Sequence, residues 1–313
     1  MMMVKKIREI ARKLLEEGKV DVVLGYEKGT EPLSERPFVA RTVEEVERLT
    51  YSPFAIQNLA TYLPRFNNNK VAILARGCTT RAINVLISEG QIERDKIYVI
   101  GIPCNGVIKT RELRESIGEE IEDVSIQNGE IVIKTTTEEK KVKFEDWLNI
   151  SCKYCEYPNP LFYDVLVGEE VKPRGGGYPD VEDYEKLDED KRWEIFEAEM
   201  SKCVRCYACR QSCPMCYCEH CFVDSTEPRW VEPGFDKTDL ESWHLIRVLH
   251  MAGRCVDCGT CELVCPEGVK LLFLTRKVAR DLKRDFDYVS GLNPEKPPFF
   301  GEFRYDDKGD FIL

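Results

Sequence analysis

Two runs of cysteine constrain this chain more than any other feature. Cys203, Cys206, Cys209 and Cys213 follow C-x2-C-x2-C-x3-C, and Pro214 comes next. Cys255, Cys258, Cys261 and Cys265 repeat the spacing, with Pro266 after them. Three thiolates two residues apart on a tight loop reach three irons of one cubane, and the loop's backbone N–H groups point at the sulfurs. The fourth Cys opens a helix whose first turn the Pro fixes. Where two such runs share a fold, each fourth Cys serves the other cluster. The spacing therefore predicts one [4Fe–4S] cluster on Cys203, Cys206, Cys209 and Cys265. It predicts a second on Cys255, Cys258, Cys261 and Cys213. Zinc sites use two short pairs rather than runs of four with a trailing Pro.

This half resembles the dicluster bacterial-type ferredoxins, over roughly residues 199–275. It departs from them in a long insert, residues 214–254. The resemblance implies an α+β ferredoxin-like domain at 199–285.

The chain has 313 residues and 15 cysteines. That length suits one large domain or two ordinary ones. The N-terminus, "MMMVKKIREIARKLLEEGKV", places Ile7, Ile10, Ala11, Leu14 and Leu15 at helical spacing between charges. It reads as an amphipathic helix ending near Gly18, not as a signal peptide. No apolar run reaches the roughly 20 residues of a membrane helix. A cytoplasmic location follows as the expectation. There disulfides are disfavoured, and dense cysteine points to metal or redox chemistry. The net charge of −11 offers no basic stripe for phosphates, so no nucleic-acid partner is expected.

Residues 1–168 read as an α/β domain. "VDVVLGY" is a strand, and "VEEVERL" and "NLATYLPRF" are helices. "KVAILARGC" and "KIYVIGIPC" are apolar strands that each run into a Cys. "TTRAINVLISEG" is a helix opened by Thr residues able to cap it. "EDVSIQNGEIVIKTT" is a hairpin turning at Asn128–Gly129. Residues 169–198 form a linker and a connecting helix, and 286–313 a polar C-terminal tail.

Cys78 and Cys104 sit just past the C-terminal ends of two strands, the edge where open parallel sheets bind ligands. Adjacent strands would put the sulfurs side by side, and Cys152-x2-Cys155 adds a close pair. Four thiolates suffice for a third [4Fe–4S] cluster. Zinc and inert buried thiols are the alternatives.

The same constellation resembles the beta subunits of deazaflavin-reducing hydrogenases and related formate dehydrogenases. The matching residues are Gly77-Cys78, Gly101-Ile-Pro-Cys104 and Cys152-Lys-Tyr-Cys155, with "YSPFAIQNL" and "FYDVLVG" as further similar segments. Tyr157 stands where the family has Asp, and position 78 lacks the usual Gly-x-Pro lead. The resemblance implies a [4Fe–4S] cluster with FAD beside it. The family's long region after this point, which helps to hold flavin and deazaflavin, has the linker and cysteine-rich module in its place here.

Cys216, Cys218 and Cys221 follow directly on the first run. They can join His220, His244 or His250 in an extra metal site, form an oxidisable pair, or pack around a cluster. Packing is the expectation, because no fourth ligand is evident and Met215, Tyr217 and Phe222 interleave with them. With three His in the chain, acid–base catalysis is not indicated, and no catalytic residue is assigned.

The expected function is an iron–sulfur electron-transfer subunit. It would relay electrons between a flavoprotein or ferredoxin and a catalytic subunit of a hydrogenase, formate dehydrogenase or heterodisulfide-reductase type of complex. Two alternatives stand beside it: a flavin-dependent reductase oxidising reduced deazaflavin or a nicotinamide, and an assembly or structural protein whose clusters do not cycle.

Overall fold

The structure, a computed structural model, describes residues 2–296 and 298–301. The end of the expected tail, residues 302–313, lies outside the described residues. Helix α1 (Met2–Glu16) buries Ile7, Ala11 and Leu14, the i, i+4, i+7 stripe of its sequence. Gly18 follows with a φ of +61°, a conformation that ends a helix cheaply only for glycine.

The first strand, β1 (Val22–Lys28), pairs antiparallel with β2 (Glu35–Ala40) and with the short β3 (Leu49–Thr50). On its other side it pairs parallel with β4 (Val71–Ala75), which pairs parallel with β5 (Ile97–Gly101). The register sets Ala75 beside Gly101, so the chain leaves both strands at one level of the sheet. Every residue of β4 is buried, as in parallel sheets covered on both faces.

Helix α2 (Gly77–Ser88) starts one residue before Cys78. The expected Thr cap is not made: the N-cap is Arg76, and the Thr80 hydroxyl donates back to the Gly77 carbonyl at 2.9 Å. Gly77 through Leu86 are all buried or nearly so, polar residues included. The cause is a second covering layer. Arg81 donates to the carbonyls of Ser290 (3.0 Å) and Val256 (3.1 Å), and Asn84 to that of Gly291 (2.9 Å). The cysteine-rich half and the start of the tail thus lie on the back of α2. Met215, Met251 and Val256 belong to the same buried cluster as the sheet residues. One core therefore spans both halves of the chain.

The expected helices at "VEEVERL" and "NLATYLPRF" are 3₁₀ segments, Glu45–Arg48 and Leu59–Phe66. Pro64 inside the second removes an amide donor and holds it short of an α-helix. After α3 (Thr110–Ile117), the predicted hairpin is present as β6 (Ile121–Gln127) and β7 (Glu130–Thr135), extended by β8 (Glu139–Lys143). Its turn holds Asn128 and Gly129 at φ +50° and +78°, the signs that a type I′ turn requires. A one-turn helix, α4 (Ile150–Lys153), carries Cys152, and β9 (Val165–Leu166) closes the main sheet beside β5.

The linker ends in α5 (Pro179–Glu185), and the predicted connecting helix is α6 (Glu189–Met200). The remainder consists of α7 (Ala208–Gln211), α8 (Lys237–Met251), α9 (Thr260–Leu263) and α10 (Leu272–Phe286), joined by loops. Helix α8 lies within the long insert and brings Trp243 and Arg247 into the interior. Among the described residues, no helix is long and apolar enough to cross a membrane.

Candidate metal centres

The two cysteine runs fold into the same loop. Arg205 and Tyr207 in the first run have φ of +50° and +58°; Asp257 and Gly259, at the same places in the second, have +53° and +73°. Left-handed backbone at non-glycine residues is uncommon. Its recurrence at matched positions shows that the spacing dictates one curled loop, twice. Such curls turn successive N–H groups inward as an anion cradle. The Arg205 amide donates to the Cys203 sulfur at 3.4 Å, and the Val269 amide to the Cys265 sulfur at 3.4 Å.

Cys203, Cys206, Cys209 and Cys265 line one small cavity, and Cys213 is not among its walls. Burial raises the Cys203 thiol, and Cys265 and Cys206 add to the rise. The Cys213 side chain instead keeps company with the second run. The Cys255 thiol is pushed up to about 12, first by burial, then by Asp257, Cys258 and Cys213. Cys261 is raised by burial and by Cys213, Cys258 and Cys255. The neighbours are thus crossed between the runs.

Cys78, Cys104, Cys152 and Cys155 line another shared cavity. Two come from the ends of β4 and β5 and two from α4 and the residues after it. Backbone amides again face sulfur: Gly106 donates to Cys104 at 3.3 Å and Val107 to Cys152 at 3.4 Å. Burial pushes the Cys78 thiol up to about 12, and Cys258, Cys104 and Cys155 contribute. Cys258 lines this cavity too, so the second and third thiol sets abut. Asn58, fully buried, donates to the Cys78 carbonyl at 3.4 Å and lies against the Cys258 thiol.

Each region holds a buried cation that sequence reasoning missed. Arg76, 3% exposed, gives its guanidinium to the carbonyls of Ala55 (2.7 Å) and Gln57 (2.6 Å) and lines the third cavity. Arg247, also 3% exposed, donates to the Cys209 carbonyl at 3.1 Å, and Cys209, Cys261, Cys213 and Cys216 all surround it. Neither has a carboxylate partner among the described residues. A buried cation without a counter-charge is costly. Thiolates holding a cluster beside them would compensate both. Arg174, from the linker, donates to the Asn105 carbonyl at 3.1 Å and borders the third cavity. A lone Arg or a linker residue carries no sequence signal for such a role.

Among the described residues, no three His, Cys, Asp or Glu side chains converge closely enough to hold a single metal ion. The convergent thiols with amide donors on their sulfurs fit a larger polynuclear group. Cys216, Cys218 and Cys221 do not gather at one point of the core. Cys216 packs beside Cys213, Cys218 is exposed, and Cys221 packs with Phe222 near Trp243. All three border one surface cleft.

Three stretches of the chain match known protein families. Residues 7–63 match the coenzyme F420 hydrogenase/dehydrogenase beta subunit N-term model, and residues 68–182 match that family's C-terminus model. Residues 199–269 match the 4Fe-4S dicluster domain. The chain is 24% identical to an F420-dependent formate dehydrogenase subunit beta of Methanocaldococcus jannaschii, over 92% of this chain and 91% of that protein. It is 24% identical to an F420-dependent formate dehydrogenase 1 subunit beta of Methanococcus maripaludis, over 92% and 90%. A chain of the F420-reducing [NiFe] hydrogenase complex from Methanosarcina barkeri aligns with a TM-score of 0.41 and 16% identity, over 50% of this chain and 62% of that one. The protein is a homologue of F420-dependent formate dehydrogenase beta subunits, built from both portions of the coenzyme F420 hydrogenase/dehydrogenase beta subunit family and a 4Fe-4S dicluster domain.

Proposed function

We propose that the protein is an electron-transfer subunit with three [4Fe–4S] clusters in a row, serving a catalytic partner in a formate dehydrogenase or hydrogenase type of complex. The observation that carries this reading is the order of the thiol sets. Cys203, Cys206, Cys209 and Cys265 make the first, Cys213, Cys255, Cys258 and Cys261 the second, and Cys78, Cys104, Cys152 and Cys155 the third. Cys209 and Cys213 face Arg247 together, and Cys258 reaches the third cavity. Clusters held there would supply one-electron carriers in series. The chain's own residues exclude water, hold the sulfurs by backbone amides, and offset negative charge with Arg76 and Arg247.

Cys206 is exposed, which brings the first set to the surface where a redox partner docks. A ferredoxin or flavoprotein fits the role of that partner by chemistry. Stepwise reductive titration of the anaerobic protein tests the reading. Three reversible one-electron equivalents per chain are expected. Clusters that do not cycle would leave a structural role instead.

A further inference from the structure

Helix α8 belongs to the insert, and its buried residues Leu240, Trp243, His244, Arg247 and Met251 follow helical spacing. An apolar stripe would complete the packing there, yet His244 sits within it at 2% exposure. Its Nε2 atom is buried and has no hydrogen-bond partner. Native structures satisfy nearly all such atoms, because an unpaired buried polar group is costly. The missing partner therefore belongs to the space that His244 lines. That space is the cavity of Cys203, Cys206, Cys209 and Cys265. The other polar walls of the cavity are engaged or wet. The Tyr207 hydroxyl accepts from Arg205 Nε at 3.2 Å and Nη2 at 3.1 Å, and Glu267 is exposed. Four thiols thus share a cavity with one buried, unpartnered ring nitrogen.

The thiolates and sulfides of a [4Fe–4S] group are acceptors. A neutral imidazole carries one N–H, and the surroundings decide which nitrogen holds it. With sulfur the acceptor at hand, Nε2 is the donor. We infer that His244 donates its Nε2–H to the sulfur shell of the first cluster and raises that cluster's reduction potential. Reduction adds negative charge to the sulfurs, so the bond strengthens in the reduced state and favours it. Arg247, one turn further along α8, offsets charge for two thiol sets at once, whereas His244 borders the first. The insert that sets this chain apart from the bacterial-type ferredoxins thereby acquires a task, the tuning of one carrier. The inference rests on the electron-transfer reading above.

The test uses the full chain, anaerobic and cluster-loaded, in an EPR-monitored redox titration. The signal that Cys203→Ala abolishes identifies the first cluster. His244→Phe keeps a flat ring and removes the N–H. It should lower the first cluster's potential by about 59 mV, tenfold in the one-electron equilibrium, and leave the other signals in place. His244→Gln restores a side-chain N–H and should recover most of the shift. Protein labelled with 15N-histidine needs no substitution: ENDOR of the reduced first cluster should show a 15N coupling. An unmoved potential in His244→Phe, an equal shift in both variants, or no 15N coupling overturns the inference. Wild-type protein without reversible clusters marks failure of the electron-transfer reading. Reversible clusters indifferent to His244 mark failure of this inference alone.

Discussion

Cys78, at the end of a parallel strand, and Cys258, in the second cysteine run, line one cavity although 180 residues separate them in sequence. The pairing is held from both sides. Asn58 touches both residues, and the Thr260 hydroxyl donates to the Ile56 carbonyl at 3.1 Å. The segment before the 3₁₀ helix therefore acts as a pier between the halves. The relay proposed above depends on that junction more than on either half alone.

Gly77 makes the junction vulnerable to one methyl group. A Cβ there would stand 1.9 Å from the Tyr157 carbonyl oxygen, which is backbone and cannot swing aside. Gly77→Ala should push away the segment that carries Cys155. Iron should fall by about four atoms per chain, one cubane's worth. The EPR signals of the other two clusters should persist.

The crossed neighbours predict crossed damage. Cys213→Ala should perturb the same EPR signal as Cys255→Ala, and leave that of Cys203→Ala intact. A shared phenotype of Cys213→Ala and Cys203→Ala would mean that each run holds its own cluster.

Arg247 should set potential. Replacing it with Met removes a buried positive charge beside two thiol sets and disfavours the more negative, reduced state. A shift to lower potential of about 59 mV or more, tenfold in the one-electron equilibrium, is expected in an EPR-monitored titration. Arg247→Lys keeps the charge and should recover most of the shift. A variant that lost stability without moving either potential would make Arg247 a packing residue only.

The halves are also joined by Arg254, which pairs with both oxygens of Glu89, one at 2.8 Å, with Tyr217 donating to the same carboxylate at 2.7 Å. Glu89→Ala leaves a mostly buried arginine unpaired. A loss of roughly 1–3 kcal/mol is expected, below that of a fully buried pair because solvent reaches part of the site. Urea unfolding of the cluster-loaded protein measures it.

The elements that sequence made legible are those set by local chemistry. The repeated spacing forces the same left-handed residues twice. The apolar runs of β4 and β5 place Cys78 and Cys104 at one sheet edge, and Asn128–Gly129 makes its turn. What escaped was set by tertiary packing. Helix α2 was legible as a helix, but the burial of its Arg81 and Asn84 was not, because the second cysteine run and the start of the tail cover its back. The strand β2 includes Pro37, which an edge strand tolerates but which hides the strand from pattern reading. Arg76 and Arg247 became candidates only once buried against thiols, and helix α8 has no alternation of apolar and polar residues strong enough to announce it. Cys216 and Cys221 pack against apolar neighbours, while Cys218 is exposed and borders the cleft.

Iron and acid-labile sulfide per chain, measured on anaerobically purified protein alongside zinc, test the central claim most directly. Three cubanes on twelve cysteines predict about twelve irons and about twelve sulfides with no stoichiometric zinc. A count near eight, or zinc in place of the missing iron, would remove the Cys78, Cys104, Cys152 and Cys155 centre and with it the continuous relay.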